Sequence, residues 1–219
     1  LNGFVLPIDK PAGWTSFDVV AKLRGGLKWK KVGHAGTLDP AATGLLLVVF
    51  GDCTTSADEF QGLGKRYIGV VKLGVTTDSD DLDGEITSES DVRWDCAEIR
   101  RIVESFRGMI MQTPPAVSAI KVNGKRSYKR ARKGEAVELA PRPVSIDEIR
   151  ILELNNPFVT LDIRCSKGTY IRSIARDLGR ELGCGGALAS LRRTEIGSYH
   201  VDDAWSIDDA LMHPEFRGQ

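Results

Sequence analysis

The residue types that do chemistry are densest in the run Gly33-His34-Ala35-Gly36-Thr37-Leu38-Asp39-Pro40-Ala41-Ala42-Thr43-Gly44-Leu45. Its glycines permit tight turns and close backbone approach. A single carboxylate, Asp39, stands directly ahead of the apolar stretch 45–50, which reads as a strand buried on both faces. A loop anchored by rigid structure is a usual seat for a catalytic group. An ionised acid there offers a nucleophile or a base. The structural alternative is that Asp39 caps a helix with Pro40 as its first residue, a common use of Asp-Pro.

Several elements must position that loop. A short strand is expected over 4–8, then the turn Lys10-Pro11-Ala12-Gly13, then a helix over 17–24 capped by Thr15 or Ser16 and closed by Gly25-Gly26. Alternation over 67–73 puts Tyr67, Gly69, Val71 and Leu73 on one strand face. A helix is expected over 95–106, with Ile99, Ile102, Val103 and Phe106 inward, and a strand over 158–165. The clearest helix covers 170–182, where Ile171, Ile174, Ala175, Leu178 and Leu182 form one stripe and Gly183 closes it. Arg172 lies at the edge of that stripe and reaches inward, while Arg176 and Arg180 face solvent or a ligand. Strands and helices mix without a βαβ rhythm, so the class is α+β.

The 219 residues carry no net charge, yet the charge is sorted. Asp78, Asp80, Asp81, Asp83, Glu85, Glu89, Asp91, Asp95 and Glu98 face one base, Arg93. Lys121, Lys125, Arg126, Lys129, Arg130, Arg132 and Lys133 contain no acid between them. Further basic clusters occur at Lys22, Arg24, Lys28, Lys30 and Lys31, and at Arg164, Lys167, Arg172, Arg176 and Arg180. Separate basic patches on a neutral protein suit a polyanion laid across one face. The longest apolar run is far short of the ~20 residues of a membrane span. No export signal opens the sequence, and Cys53, Cys96, Cys165 and Cys184 lack CxxC spacing. These features favour the cytoplasm, reduced thiols and no membrane partner. The acidic turn 78–84 resembles a calcium loop, but Ser90 stands at its twelfth position, where Glu is required.

The run around Asp39 resembles the GHxGTLDPxAxGxL motif of the TruB family of tRNA pseudouridine synthases. The likeness extends over most of the chain. Ile8-Asp9-Lys10-Pro11-Ala12-Gly13-Trp14-Thr15-Ser16 is similar to the family's opening segment, and Lys65-Arg66-Tyr67 with Leu73-Gly74 to its tyrosine strand. Cys165-Ser166-Lys167-Gly168-Thr169-Tyr170-Ile171-Arg172 is similar to its CSKGTYIR motif, and Leu191-Arg192-Arg193 to its pocket-lining segment. Thr113-Pro114-Pro115-Ala116-Val117-Ser118-Ala119-Ile120-Lys121, followed by Gly124, Tyr128, Ala131 and Arg132, resembles the thumb insertion of the bacterial, stand-alone branch.

The resemblance implies a pseudouridine synthase fold: a mixed, mainly antiparallel central sheet flanked by helices. It implies one catalytic domain over 1–219 with an RNA-binding thumb at about 109–134; in a departure from many members, the roughly twenty residues after Tyr199 are too few for a complete C-terminal RNA-binding domain. Asp39 is then the catalytic residue, Tyr67 stacks on the flipped base, and Arg172 pairs with the Asp. His34 supports the remodelled RNA loop. Tyr170, Leu191, Lys10 and Asp81 belong to substrate binding. Lys121, Lys125, Arg126, Lys129, Arg130 and Arg132 clamp the RNA backbone. The expected substrate is the T-loop uridine, position 55, in the T-arm of tRNA, with no guide RNA and a monomeric enzyme. Isomerisation needs neither redox change nor phosphate energy, so no cofactor and no metal are expected. Rival readings are an RNA-remodelling protein without catalysis, a glycosidase with paired carboxylates, and a pseudouridine synthase acting on another RNA.

Overall fold

The computed structural model describes residues 2–117 and 139–218, with the backbone alone of 121–122 and 125–126. In chain order the elements are β1 (Gly3–Lys10), α1 (Ser16–Gly26), β2 (Val32–Ala35), β3 (Thr43–Gly51), α2 (Ala57–Gly62), β4 (Lys65–Leu73), β5 (Val75–Thr77), β6 (Ile86–Glu89) and α3 (Cys96–Ser105). They continue as β7 (Gly108–Gln112), β8 (Lys121–Val122), β9 (Lys125–Arg126), β10 (Arg142–Asn155), β11 (Phe158–Cys165), α4 (Ile171–Glu181), β12 (Gly186–Ile196), β13 (Tyr199–His200) and α5 (Ile207–Met212). The fold is α+β with a large, mixed, mostly antiparallel sheet. The chain divides into two compact units, Leu1–Ile68 with Leu191–Gln219, and Gly69–Ser190.

In the first unit β3 is the axis. It pairs antiparallel with β1, Lys10 opposite Gly44. Its other edge takes β2 antiparallel and, at Thr43 and Gly44, residues Arg192 and Arg193 of β12 in parallel. The uninterrupted apolar run has its explanation here. Leu46, Val48 and Phe50 join one core with α1 and α5, while Leu45 and Leu47 join another with Ala35 and Ile196. Both faces of β3 are therefore covered.

Helix α1 opens with a capping box, Thr15 accepting from Asp18 N–H and the Asp18 carboxylate accepting from Thr15 N–H. It differs from expectation at its end. Gly25 and Gly26 stay helical, Leu27 is the C-cap, and Lys28 makes the turn with φ 61°. Leu27 is fully buried in the α1 core, which favours carrying the helix past both glycines.

In the second unit β10 pairs antiparallel with β11 and with β7, and β5 with β6. The alternation in β4 is as expected: Lys65 and Tyr67, of the first unit, and Val71 and Leu73, of the second, are buried. Helix α3 is capped by Asp95, which accepts from Ala97 and Glu98 N–H. Helix α4 packs against the start of β12 so closely that a Cβ on Gly179 would stand 2.1 Å from the backbone of Gly185 and Gly186. Only glycine fits there.

Candidate active site

Lys10, His34, Asp39, Tyr67 and Leu191 belong to the first unit, and Asp81, Tyr170 and Arg172 to the second. The loop carrying Asp39 joins β2 to β3, and no helix follows Pro40. Asp39 is thus not a helix cap. Its carbonyl instead accepts from Ala42 N–H at 3.1 Å in a tight turn.

Three buried side chains grip this loop through its main chain. Ser16 Oγ accepts from Leu38 N–H at 2.9 Å and donates to the Leu38 carbonyl at 3.3 Å. Lys10, fully buried, donates through Nζ to the carbonyls of Pro11 (2.8 Å), Trp14 (2.7 Å) and Pro40 (3.1 Å). Arg193, 1% exposed, donates from Nε to the Leu45 carbonyl at 2.7 Å and from Nη2 to the Gly36 carbonyl at 3.0 Å. The loop is held at its entry, middle and exit.

Gly44 makes that exit feasible. Its φ is 100°, and a Cβ would lie 2.2 Å from the Arg193 carbonyl oxygen. The parallel pairing with β12 requires the bare glycine backbone.

The electrostatics follow from burial. Desolvation pulls the Lys10 pKa down to about 8, and the neighbouring Asp39 charge opposes that fall. His34 lies on β2 opposite Val48, with Nδ1 buried and lacking a hydrogen-bond partner among the described residues. Burial, then the Arg193 charge, lowers its pKa, so the imidazole is neutral. Tyr67 is 8% exposed on β4. Leu191 presents its carbonyl to Thr43 Oγ1 at 3.5 Å. Beside it Arg192 forms a two-pronged pair with Asp9, Nη1–Oδ1 3.1 Å and Nη2–Oδ2 2.7 Å, and that hydrogen bonding raises the arginine pKa.

In the second unit, Arg172 is buried as its place on the stripe suggests. Its guanidinium donates to the Ser79 carbonyl (2.9 Å) and the Val117 carbonyl (3.1 Å), and lies 3.5 Å from Asp81 Oδ2. Asp81 also accepts from Ser79 Oγ at 2.6 Å and Asp83 N–H at 3.2 Å. Tyr170 is the N-cap residue of α4. Its N–H and C=O are matched by the buried Gln112 side chain at 2.8 and 3.1 Å, and Arg142 lies over its ring at 5.1 Å.

Arg176 has partners that its helical position does not reveal. It stays partly exposed and also bonds Asp80 Oδ2 (2.8 Å), the Thr113 carbonyl (2.8 Å) and Asp177 Oδ1 (3.1 Å). Arg180 is exposed as expected.

The side chains of Lys121, Lys125, Arg126, Lys129, Arg130 and Arg132 lie outside the described residues. Among the described residues, no group of three His, Cys, Asp or Glu is placed to hold a metal ion. No helix among them is long and apolar enough to cross a membrane. Sequence reasoning did not single out Ser16 or Arg193 as loop anchors. The available signal was the position of Ser16 in the opening segment and of Arg193 after Leu191.

Comparison with known proteins bears on this geometry. Residues 24–171 match the model of the TruB family pseudouridylate synthase N-terminal domain, and 172–213 that of the tRNA pseudouridylate synthase B C-terminal domain. The tRNA pseudouridine synthase B of Opitutus terrae is 47% identical over 96% of this chain and 89% of its own. That of Parabacteroides distasonis is 47% identical over 96% of this chain and 94% of its own. Among solved structures, a Cbf5-Nop10-Gar1 complex aligns with a TM-score of 0.74 at 28% identity, covering 96% of this chain. This chain spans about half of the matched chain in that complex, 54%.

Proposed function

The chain belongs to the TruB family and is a tRNA pseudouridine synthase, and from that premise we propose that it isomerises the T-loop uridine at position 55, with Asp39 as its catalytic carboxylate. The bond between uracil N1 and ribose C1′ breaks, the ring turns, C5 bonds to C1′, the C5 proton leaves and N1 takes up a proton. The net change is an isomerisation, so atoms and electrons balance within the substrate. The base must first leave its stack, at a cost of a few kcal/mol.

The observation that carries this reading is the grip on the loop. Lys10, Ser16 and Arg193 are buried and bind main-chain groups at both ends and the middle of the turn that presents Asp39. Side chains so placed fix the backbone of a reactive group before substrate arrives. The turn suits a carboxylate acting on the sugar carbon and equally one acting as a base on the ring.

In this reading Tyr67 stacks on the flipped base, and neutral His34 supports the remodelled RNA loop. Arg172 belongs to the same reaction by resemblance, and Tyr170, Leu191, Lys10 and Asp81 to the substrate site. Lys10 acts there through the loop it holds, because its ammonium is buried. The whole chain serves as one catalytic domain, and 109–134 is its RNA-binding thumb. The enzyme works as a cytoplasmic monomer without guide RNA.

The deciding experiment incubates the protein with unmodified tRNA transcript and maps pseudouridine by carbodiimide-dependent reverse-transcription stops. One new stop at the T-loop uridine is expected. Modification elsewhere alone refutes the substrate assignment, and none anywhere refutes the reaction.

A further inference from the structure

Helix α4 carries two arginines one turn apart, and they hold the same two segments. Arg172 bonds the Ser79 and Val117 carbonyls. Arg176 bonds Asp80 and the Thr113 carbonyl. One segment is the acidic turn; the other, 113–117, leads into the basic stretch that begins at Lys121. Arg172 is already accounted for by the reaction. Arg176 is not.

A cavity of about 680 Å³ separates these segments, lined by Asp78, Asp80, Thr113, Pro114 and Arg176 among others, with 139–141 on its rim. Arg176 links its Asp80 wall to its Thr113 wall. Three donors of one planar guanidinium are committed at once, Nη1 to Asp80, Nη2 to Thr113 and Nε to Asp177. An ammonium cannot reproduce that fork. The Thr113 carbonyl accepts a second bond, from Ser173 Oγ at 2.9 Å. Asp80 sits in the left-handed region with φ 63°. Burial raises its pKa, and the Arg176 charge and hydrogen bond oppose the rise.

We infer that Arg176 is a positioning residue for RNA binding: it ties segment 113–117 to the acidic turn and so presets the departure point of the basic stretch, strengthening tRNA binding without contact with the reacting base. The inference rests on the reading of 109–134 as an RNA-binding thumb. A segment fixed before encounter has less conformational freedom to lose on binding, and the gain appears in affinity.

The test measures KM, kcat and the tRNA dissociation constant for wild type, Arg176→Ala, Arg176→Lys and Arg180→Ala. Arg180 lies on the same helix and loses the same charge, but its ion pairs go to Asp177 and Glu181. Arg176→Ala is expected to raise KM and Kd about tenfold with kcat within about twofold. Arg176→Lys should fall between, and Arg180→Ala should match wild type. A fall in kcat at unchanged KM overturns the inference, as does an Arg180→Ala defect equal to that of Arg176→Ala. Should Arg176→Ala melt below assay temperature, Arg176→Lys decides: an intermediate rise in Kd supports the role and none overturns it. Wild type that binds tRNA yet forms no pseudouridine refutes the reaction instead, and the Kd series still decides the role of Arg176.

Discussion

The Asp39 loop and the acidic turn 78–84 both bring carboxylates and cations together, but they use those cations differently. In the first, Lys10 and Arg193 bond the carbonyls of Pro40, Gly36 and Leu45. In the second, Arg176 takes the Asp80 carboxylate directly and Arg172 stands against that of Asp81. One arrangement uses positive charge to shape backbone. The other uses it to neutralise side chains and tie segments together. Bonds to main-chain carbonyls fix the path of a loop, whereas bonds to carboxylates join one segment to another through their side chains.

The comparison breaks most easily at the acids themselves. Asp39→Asn should cut tritium release from 5-tritiated uridine in tRNA by about a thousandfold or more, with tRNA affinity nearly unchanged. The same exchange at Asp80 should cost less than about tenfold, since the amide oxygen still accepts from Arg176. Equal losses at the two positions would erase the distinction.

Next is the grip on the backbone. Arg193→Met leaves two carbonyls without their charged donor and should lower stability by about 2–5 kcal/mol in urea denaturation. A loss under about 0.5 kcal/mol would mean that the loop holds its shape unaided.

The smallest effect is a pH slope. Lys10 binds its proton less tightly when folded, with a pKa of about 8 against 10.5. Between those values the unfolded chain holds more protons, so this residue's contribution to stability rises with pH; below pH 8 both states are protonated and it is flat. Lys10→Met should remove that slope. Urea midpoints at pH 8, 9 and 10 check it, and parallel curves for the two proteins would reject it.

Much of the first region was legible before any coordinates. The glycines and Asp39 marked the loop, and the unbroken apolar run announced a strand covered on both sides, since an open face would have required alternation. Strand β4 and helix α4 declared themselves by period. Strand β10 did not. Its register against β11 shifts between Ile146 and Glu148 and again between Ile151 and Glu153. Each irregularity resets which side chains face inward, so no single period of two survives over the strand. Arg193 was hidden for another reason. Adjacent residues on a strand point to opposite faces, and the pair Arg192-Arg193 does not reveal which of them goes in. Only the pairing of β12 with β3 decides it, sending Arg193 beneath the loop and Arg192 to Asp9. The partners of Arg176 were hidden because helical spacing records direction around an axis and not the arrival of a distant acid.

The short parallel ladder between Thr43-Gly44 and Arg192-Arg193 has a consequence for biosynthesis. Arg193 lies 157 residues beyond Gly36, whose carbonyl it binds. A chain emerging from the ribosome therefore presents Asp39 early but lacks the anchor of its loop until β12 has been made. The loop around Asp39 is therefore completed long after its own residues have been made.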